Sequence, residues 1–367
     1  MHLTNNYLTF LELARAGLWA DAESTDFGFQ RFTESIDWEK VYQLAEEQSV
    51  IGLVLAGIEH SKVKPPQELL LQWIGEVQIQ ELQNKAMNQF IAELIEGLRK
   101  ADIYTLLLKG QGVAQCYEKP LWRASGDVDL LLSADNYENA KTFLTPLADH
   151  VDTESKEVKH LGMTMGEWLV ELHGTMHTSI SRRVNKGIDD TQDDCFYNGN
   201  VRSWNNGSTT VFLPSPDNDV IFVFTHILEH FFIEGVGLRQ VCDWCRLLWT
   251  YRDSLNYGLL ESRIKRMGLM RIWKSFGSMA VDVLGMPKEA MPMYDARYKV
   301  KGERVLGRIM KSGNMGHNND LSYRIKYSGM TYKLVAMWRR IKDFAGFTML
   351  FPIDAPRFFV HYVLEKI

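Results

Sequence analysis

Two aspartates set two positions apart are the residues whose types and spacing most plainly suggest chemistry. Asp127 and Asp129 open the segment Asp127-Val128-Asp129-Leu130-Leu131-Leu132. In an extended chain alternate side chains share a face, so the two carboxylates project together, roughly 7 Å apart, opposite Val128 and Leu130. Asp is disfavoured in strands. Two carboxylates at the mouth of an apolar strand also repel each other unless a cation lies between them. The pair therefore reads as a site for a hard divalent ion, Mg2+ (or Mn2+), which takes oxygen ligands and is commonly completed by substrate phosphates. The blander alternative is two solvated acids on an exposed edge. The leucines that follow directly argue for a buried strand instead.

Neighbouring elements must hold these acids in place. Upstream, the apolar residues 103–108 read as a strand that ends at Lys109-Gly110. Downstream, residues 157–163 and 167–173 read as a hairpin around Gly166. On its second strand Leu169, Glu171 and His173 share one face. If that strand lies beside Asp127 and Asp129, Glu171 completes a carboxylate triad, which calls for bound cations.

The ordered set Lys109-Gly110, then Arg123-x-x-Gly126-Asp127-Val128-Asp129, then Glu171-Leu172-His173 resembles the nucleotidyltransferase superfamily typified by DNA polymerase beta. It is similar in particular to a bacterial branch of uncharacterised nucleotidyltransferases with a Lys-Gly turn and a later acid-x-His strand. The resemblance covers residues 91–173 well and the helices to about residue 249 more loosely. It implies an α+β fold, in which a small mixed nucleotidyltransferase sheet is flanked by an N-terminal helical region and a C-terminal helical domain. It also implies an enzyme that moves a nucleoside monophosphate from an NTP such as ATP to a hydroxyl acceptor. Asp127, Asp129 and Glu171 would be the catalytic metal ligands, with Glu171 alternatively taking the acceptor's proton. Lys109, Gly110, Gln111, Arg123 and Gly126 would bind the nucleotide, the glycine turn letting backbone N–H groups approach its phosphates. His173, Arg239 and Asp243 are possible substrate contacts. Gly110-Gln111 stands where many members have Gly-Gly or Gly-Ser, which keeps open a catalytically silent nucleotide sensor of the same fold.

Two other constellations compete. His226-Ile227-Leu228-Glu229-His230 matches the pattern of inverted zinc peptidases, two histidines four apart with a glutamate as base. No third ligand follows in a suitable setting, and flanking phenylalanines point to a buried helix. Cys242-Asp243-Trp244-Cys245 is a lone C-x-x-C without a strand-turn-helix context, hence a pair of core thiols. Arg239 and Asp243, four apart on one helix, are placed to pair with each other.

The whole chain is consistent with a soluble enzyme acting on something other than nucleic acid. At 367 residues it can bury a sizeable core, and 46% hydrophobic with 24% charged residues is ordinary for a globular protein. A net charge of -5 offers no field to gather a nucleic-acid backbone, so a small molecule or protein hydroxyl is the expected acceptor. Four cysteines make no disulfide framework. The first residues lack a signal-peptide pattern, and no apolar run reaches the roughly 18 residues of a membrane span, so the expected location is cytoplasmic. The sequon at Asn206 is then irrelevant.

Three parts are expected: residues 1–100 as a helical region, 101–214 as the α/β core, and 215–367 as a helical domain. In the first, Asp37 caps a helix and residues 67–100 keep helical spacing throughout, unless Gly75 kinks them. In the second, residues 175–206 read as a polar loop or lid, with Asp193-Asp194 solvated, and 208–213 as a closing strand. In the third, Pro216 opens a series of helices. Lys333, Arg339, Arg340 and Lys342 there alternate with apolar residues, a pattern of a core-packed or membrane-surface helix.

Overall fold

The computed structural model describes residues 5–20, 36–318, 326 and 329–366. A five-stranded mixed sheet in the order β1-β2-β5-β4-β3 sits between helices, the α+β arrangement expected. Its strands are β1 (Thr105–Leu108), β2 (Asp127–Leu132), β3 (His150–Val151), β4 (His160–Met165) and β5 (Trp168–His173). β2 runs antiparallel to β1 and parallel to β5, while β4 turns back on β5 through a two-residue link at Gly166, whose φ is 60°.

The alternation in β2 and β5 divides the sheet into two faces. Val128, Leu130, Leu132, Val170 and Leu172 are all buried in one apolar cluster. That cluster also contains Tyr137, Ala140 and Leu144 of α6 (Ala134–Leu144) and Ile91, Leu94 and Leu98 of α4 (Gln67–Lys100). The opposite face carries the acids.

Before the sheet come α1 (Asn5–Leu18), α2 (Trp38–Glu47), capped by Asp37, α3 (Ile51–His60) and α4. α4 is a single helix of 34 residues, about 50 Å at 1.5 Å per residue, and it continues through Gly75. Gly57 of α3 abuts the carbonyl of Leu13, and Gly17 of α1 reaches that of Leu53, so these two helices touch backbone to backbone. α5 (Gly110–Ala114) is a short turn of helix directly after β1.

The segment 175–206 is more ordered than its polarity suggests. It contains α7 (Arg182–Phe196) and β6 (Val201–Asn206). Val184, Ile188, Thr191 and Cys195 are buried at spacings of four, three and four, a narrow stripe that surrounding Asp, Asn and Lys residues mask. Asp194 is not solvated: it accepts from Asn198 and Asn200 and pairs with Arg263 at 3.0 Å. β7 (Thr209–Pro214) does not close the main sheet but forms a separate hairpin with β6 around Gly207, φ 63°. The Asn206-Gly207 dipeptide, a tight-hairpin signal, was the clue to it.

The remaining helices are α8 (Pro216–Ile233), α9 (Leu238–Thr250), α10 (Tyr257–Met267), α11 (Met270–Ser278), α12 (Lys299–Ser312), α13 (Gly329–Leu350) and α14 (Asp354–Lys366). α13 buries Phe344, Phe347 and Leu350 and leaves Trp338 and Met349 exposed, while Ser328 and the side chain of Lys333 lie outside the described residues. Cys242 and Cys245 are buried free thiols on α9, as expected. Among the described residues no helix is long and apolar enough to cross a membrane.

Candidate active site

The parallel register of β2 and β5 sets Asp129 directly opposite Glu171 and Asp127 opposite Leu169. Asp127, Asp129 and Glu171 thus converge, each offering an oxygen, with these atoms all within 4.8 Å of one another. They line a cleft of about 680 Å3 whose far wall is made by His226 and His230 of α8 and Arg239 and Asp243 of α9. Lys109 and Gly110 form its edge.

Lys109 ends β1 with a strained backbone, φ 48° and ψ -138°. The bend brings its ammonium to 2.9 Å from Asp129 Oδ1 and 3.5 Å from His226 Nε2. His173 Nε2 donates to the same aspartate oxygen at 2.8 Å. Gly110 follows at φ 39°, a left-handed backbone that favours glycine.

These contacts dictate the protonation pattern. Burial alone would raise the Asp129 pKa, but Lys109 and His173 outweigh it and hold the carboxyl below its ordinary value. Asp127 is pushed the other way by the charge of Asp129 and by its own burial. Glu171 is held well below the usual carboxylate range, its burial more than offset by His160 and His173. Lys109 and His173 both rise, because the carboxylates overcome the cost of burying them. His226, buried beside Lys109 and His230, is driven far below the usual histidine value and stays neutral.

The donor set fits a divalent cation. Asp129 Oδ2 is buried with no hydrogen-bond partner among the described residues, an orphaned anionic oxygen of the kind a cation would satisfy. Arg239 complements it: its Nη1 donates to the carbonyl of Ala124, while its Nε is buried without a partner among the described residues. Burial and the nearby Arg123 hold its pKa below the ordinary value, so an anion in the cleft would relieve it.

Not every expected site residue faces the cleft. Arg123 lines it, but one edge of its guanidinium is held by Asp243 in a two-pronged pair, Nε to Oδ1 at 2.9 Å and Nη2 to Oδ2 at 2.7 Å. Asp243 therefore pairs with Arg123 rather than with Arg239, and Tyr117 donates to it as well. Gln111 is buried and turned into α4, where its Nε2 donates to Asn84 Oδ1 at 2.7 Å. Gly126 is exposed in the loop just before β2.

The histidines of the peptidase-like motif belong to this cleft and not to a zinc hydrolase triad. Among the described residues they join no group of three ligating side chains, and Glu229 is turned away to accept from the backbone and hydroxyl of Ser179. The sequence reading missed His160, which lies opposite His173 across the β4–β5 hairpin. Extending the Gly166 hairpin pairwise from Met165 and Trp168 would have found it.

The family match assigns the chain to the nucleotidyltransferases. The chain belongs to the uncharacterised nucleotidyltransferase family, whose model matches residues 34–285. No curated protein and no solved structure matches it.

Proposed function

We propose that the chain transfers a nucleoside monophosphate from an NTP to a hydroxyl acceptor, in a metal-dependent reaction of the polymerase-beta-like type. The observation that carries this reading is the convergence of Asp127, Asp129 and Glu171 from adjacent strands, with one buried Asp129 oxygen left unpartnered among the described residues. These three side chains would hold Mg2+ or Mn2+, which would neutralise polyphosphate charge and polarise the phosphorus under attack.

The chain's own residues divide the remaining work. Lys109 and Arg239 offer positive charge to the phosphates, and the Gly110 turn lets the backbone approach them closely. Arg123 acts indirectly, fixing α9 through Asp243 and so orienting Arg239 four residues away. Glu171 is too acidic to serve well as a general base, which favours the ligand role over proton acceptance. The acceptor hydroxyl attacks the α-phosphorus, pyrophosphate leaves, and the hydroxyl proton passes to water in the cleft. A net charge of -5 favours a small molecule or protein as acceptor over nucleic acid.

The test uses Asp127→Asn, a substitution at the least enclosed of the two aspartates. Calorimetry should show Mg2+-dependent ATP binding in the parent and its loss in the variant. Incubation with α-labelled NTPs and pooled metabolites or proteins should then yield a labelled product. Unchanged Mg2+-ATP binding in the variant would overturn the site, and binding without transfer in any pool would favour a sensor.

A further inference from the structure

The antiparallel register of β4 and β5 sets His160 opposite His173, their rings 4.8 Å apart. Glu171 Oε2 lies 3.2 Å from His160 Nε2 and 3.5 Å from His173 Nε2, which also donates to Asp129 Oδ1 at 2.8 Å, so a cation bound here would take the place of the proton that His173 shares with Asp129. The first distance stands at the upper end of the roughly 2.7–3.2 Å range of an N–H···O bond, and the second lies beyond it. Both also match the donor-to-donor edge of a coordination shell, about 3.0–3.5 Å when each ligand lies about 2.0–2.2 Å from a common metal. One ligand atom from each of the three side chains lies within 4.8 Å of the other two.

We propose that His160, Glu171 and His173 form a second cation site for a first-row transition metal of the Zn2+ type, separate from the all-oxygen position at Asp127 and Asp129. Two imidazoles with one carboxylate are a donor set that Mg2+ serves poorly and Zn2+ serves well. Exposure is graded across the three, 36% for the His160 side chain, 23% for Glu171 and 12% for His173, so the site opens to solvent at His160 and leaves room for further ligands. Glu171 belongs to both groups and would tie the two positions together. The inference shares that residue with the proposed transfer reaction and does not otherwise depend on it.

Co2+, a spectroscopic stand-in for Zn2+, tests the assignment on the full chain after removal of metals by chelator. One equivalent should bind without nucleotide and give visible ligand-field bands; Zn2+ should displace it and excess Mg2+ should not. His160→Ala, a change at a side chain about one-third exposed, should abolish the bands and weaken Co2+ binding by more than the ~10–100-fold typical of an outer-shell partner. Asp127→Asn should keep the bands while losing Mg2+-dependent ATP binding, so the two sites fail independently. His173→Ala, checked for folding by circular dichroism, should behave as His160→Ala does. Bands that survive both histidine substitutions, or that vanish with Asp127→Asn alone, would overturn the second site.

Discussion

Arg123 and Asp243 lie 120 positions apart in the chain and meet as a buried, two-pronged ion pair between the loop before β2 and helix α9. Each side chain is only 6% exposed. Removing one partner of such a pair leaves the other buried without its counterion, at a cost of about 3–5 kcal/mol. Asp243→Ala should lower stability by that amount in urea unfolding. Arg123→Ala added to that background should cost little more, and strict additivity would show that the pair is not coupled.

Lys109 is the cleft cation that stands nearest Asp129, its ammonium 2.9 Å from Oδ1. Replacing it with Met should weaken Mg2+-ATP binding about 10–100-fold, the worth of a charged hydrogen bond of about 1.5–3 kcal/mol. Binding of divalent cations without nucleotide should strengthen, because Asp129 loses its neighbouring ammonium. Calorimetry with and without ATP separates the two effects, and a drop in both affinities would contradict the role given to Lys109.

Two histidines pull the pH dependence of stability in opposite directions. His173 has a raised pKa, so its contribution is complete below pH ~6.5 and is lost as pH rises through its folded value. His226 has a depressed pKa under the combined influence of burial, Lys109, His230, His173 and Arg239. Below pH ~6.5 the unfolded chain takes up a proton that folded His226 refuses, and stability falls by up to about 1.4 kcal/mol per pH unit. His226→Gln should flatten that acid limb. Urea midpoints between pH 5.5 and 7.5 would reveal it, and parallel curves for the two proteins would count against the assignment.

The contact of α1 with α3 tolerates no added atoms. A Cβ at Gly57 would fall 1.9 Å from Leu13 O, and one at Gly17 would fall 2.0 Å from Leu53 O. Gly57→Ala should therefore destabilise by about 1–3 kcal/mol or more, since backbone must move to admit the methyl group. Thermal unfolding measures this directly, and an unchanged midpoint would mean that the helices can part without cost.

What the sequence made legible was whatever depends on short spacings. Asp127, Asp129 and Glu171 could be placed because a period of two fixes faces within a strand, and α4 because its apolar positions keep step over about nine turns. The pairing of Asp243 with Arg123 was not accessible, since local spacing favoured the neighbour Arg239. Gln111 looked like part of a phosphate turn, yet its side chain found Asn84 on a helix that precedes it. α7 was hidden by composition: four buried residues among ten polar or glycine neighbours do not stand out. His226 and His230 were seen as a motif, but only the packing of α8 over the sheet revealed which cleft they face.

Asn84 has a consequence for any attempt to isolate the catalytic sheet. From the middle of α4 its amide donates to the carbonyls of Leu121 and Arg123 and accepts from Gln111, so it props up both the turn after β1 and the loop that leads into β2. A fragment beginning at residue 101 would keep every acid and lysine that lines the cleft and still lose this brace. The long helix is in that sense the keel of the site, and a minimal piece that keeps the cleft intact has to begin well upstream of the first strand.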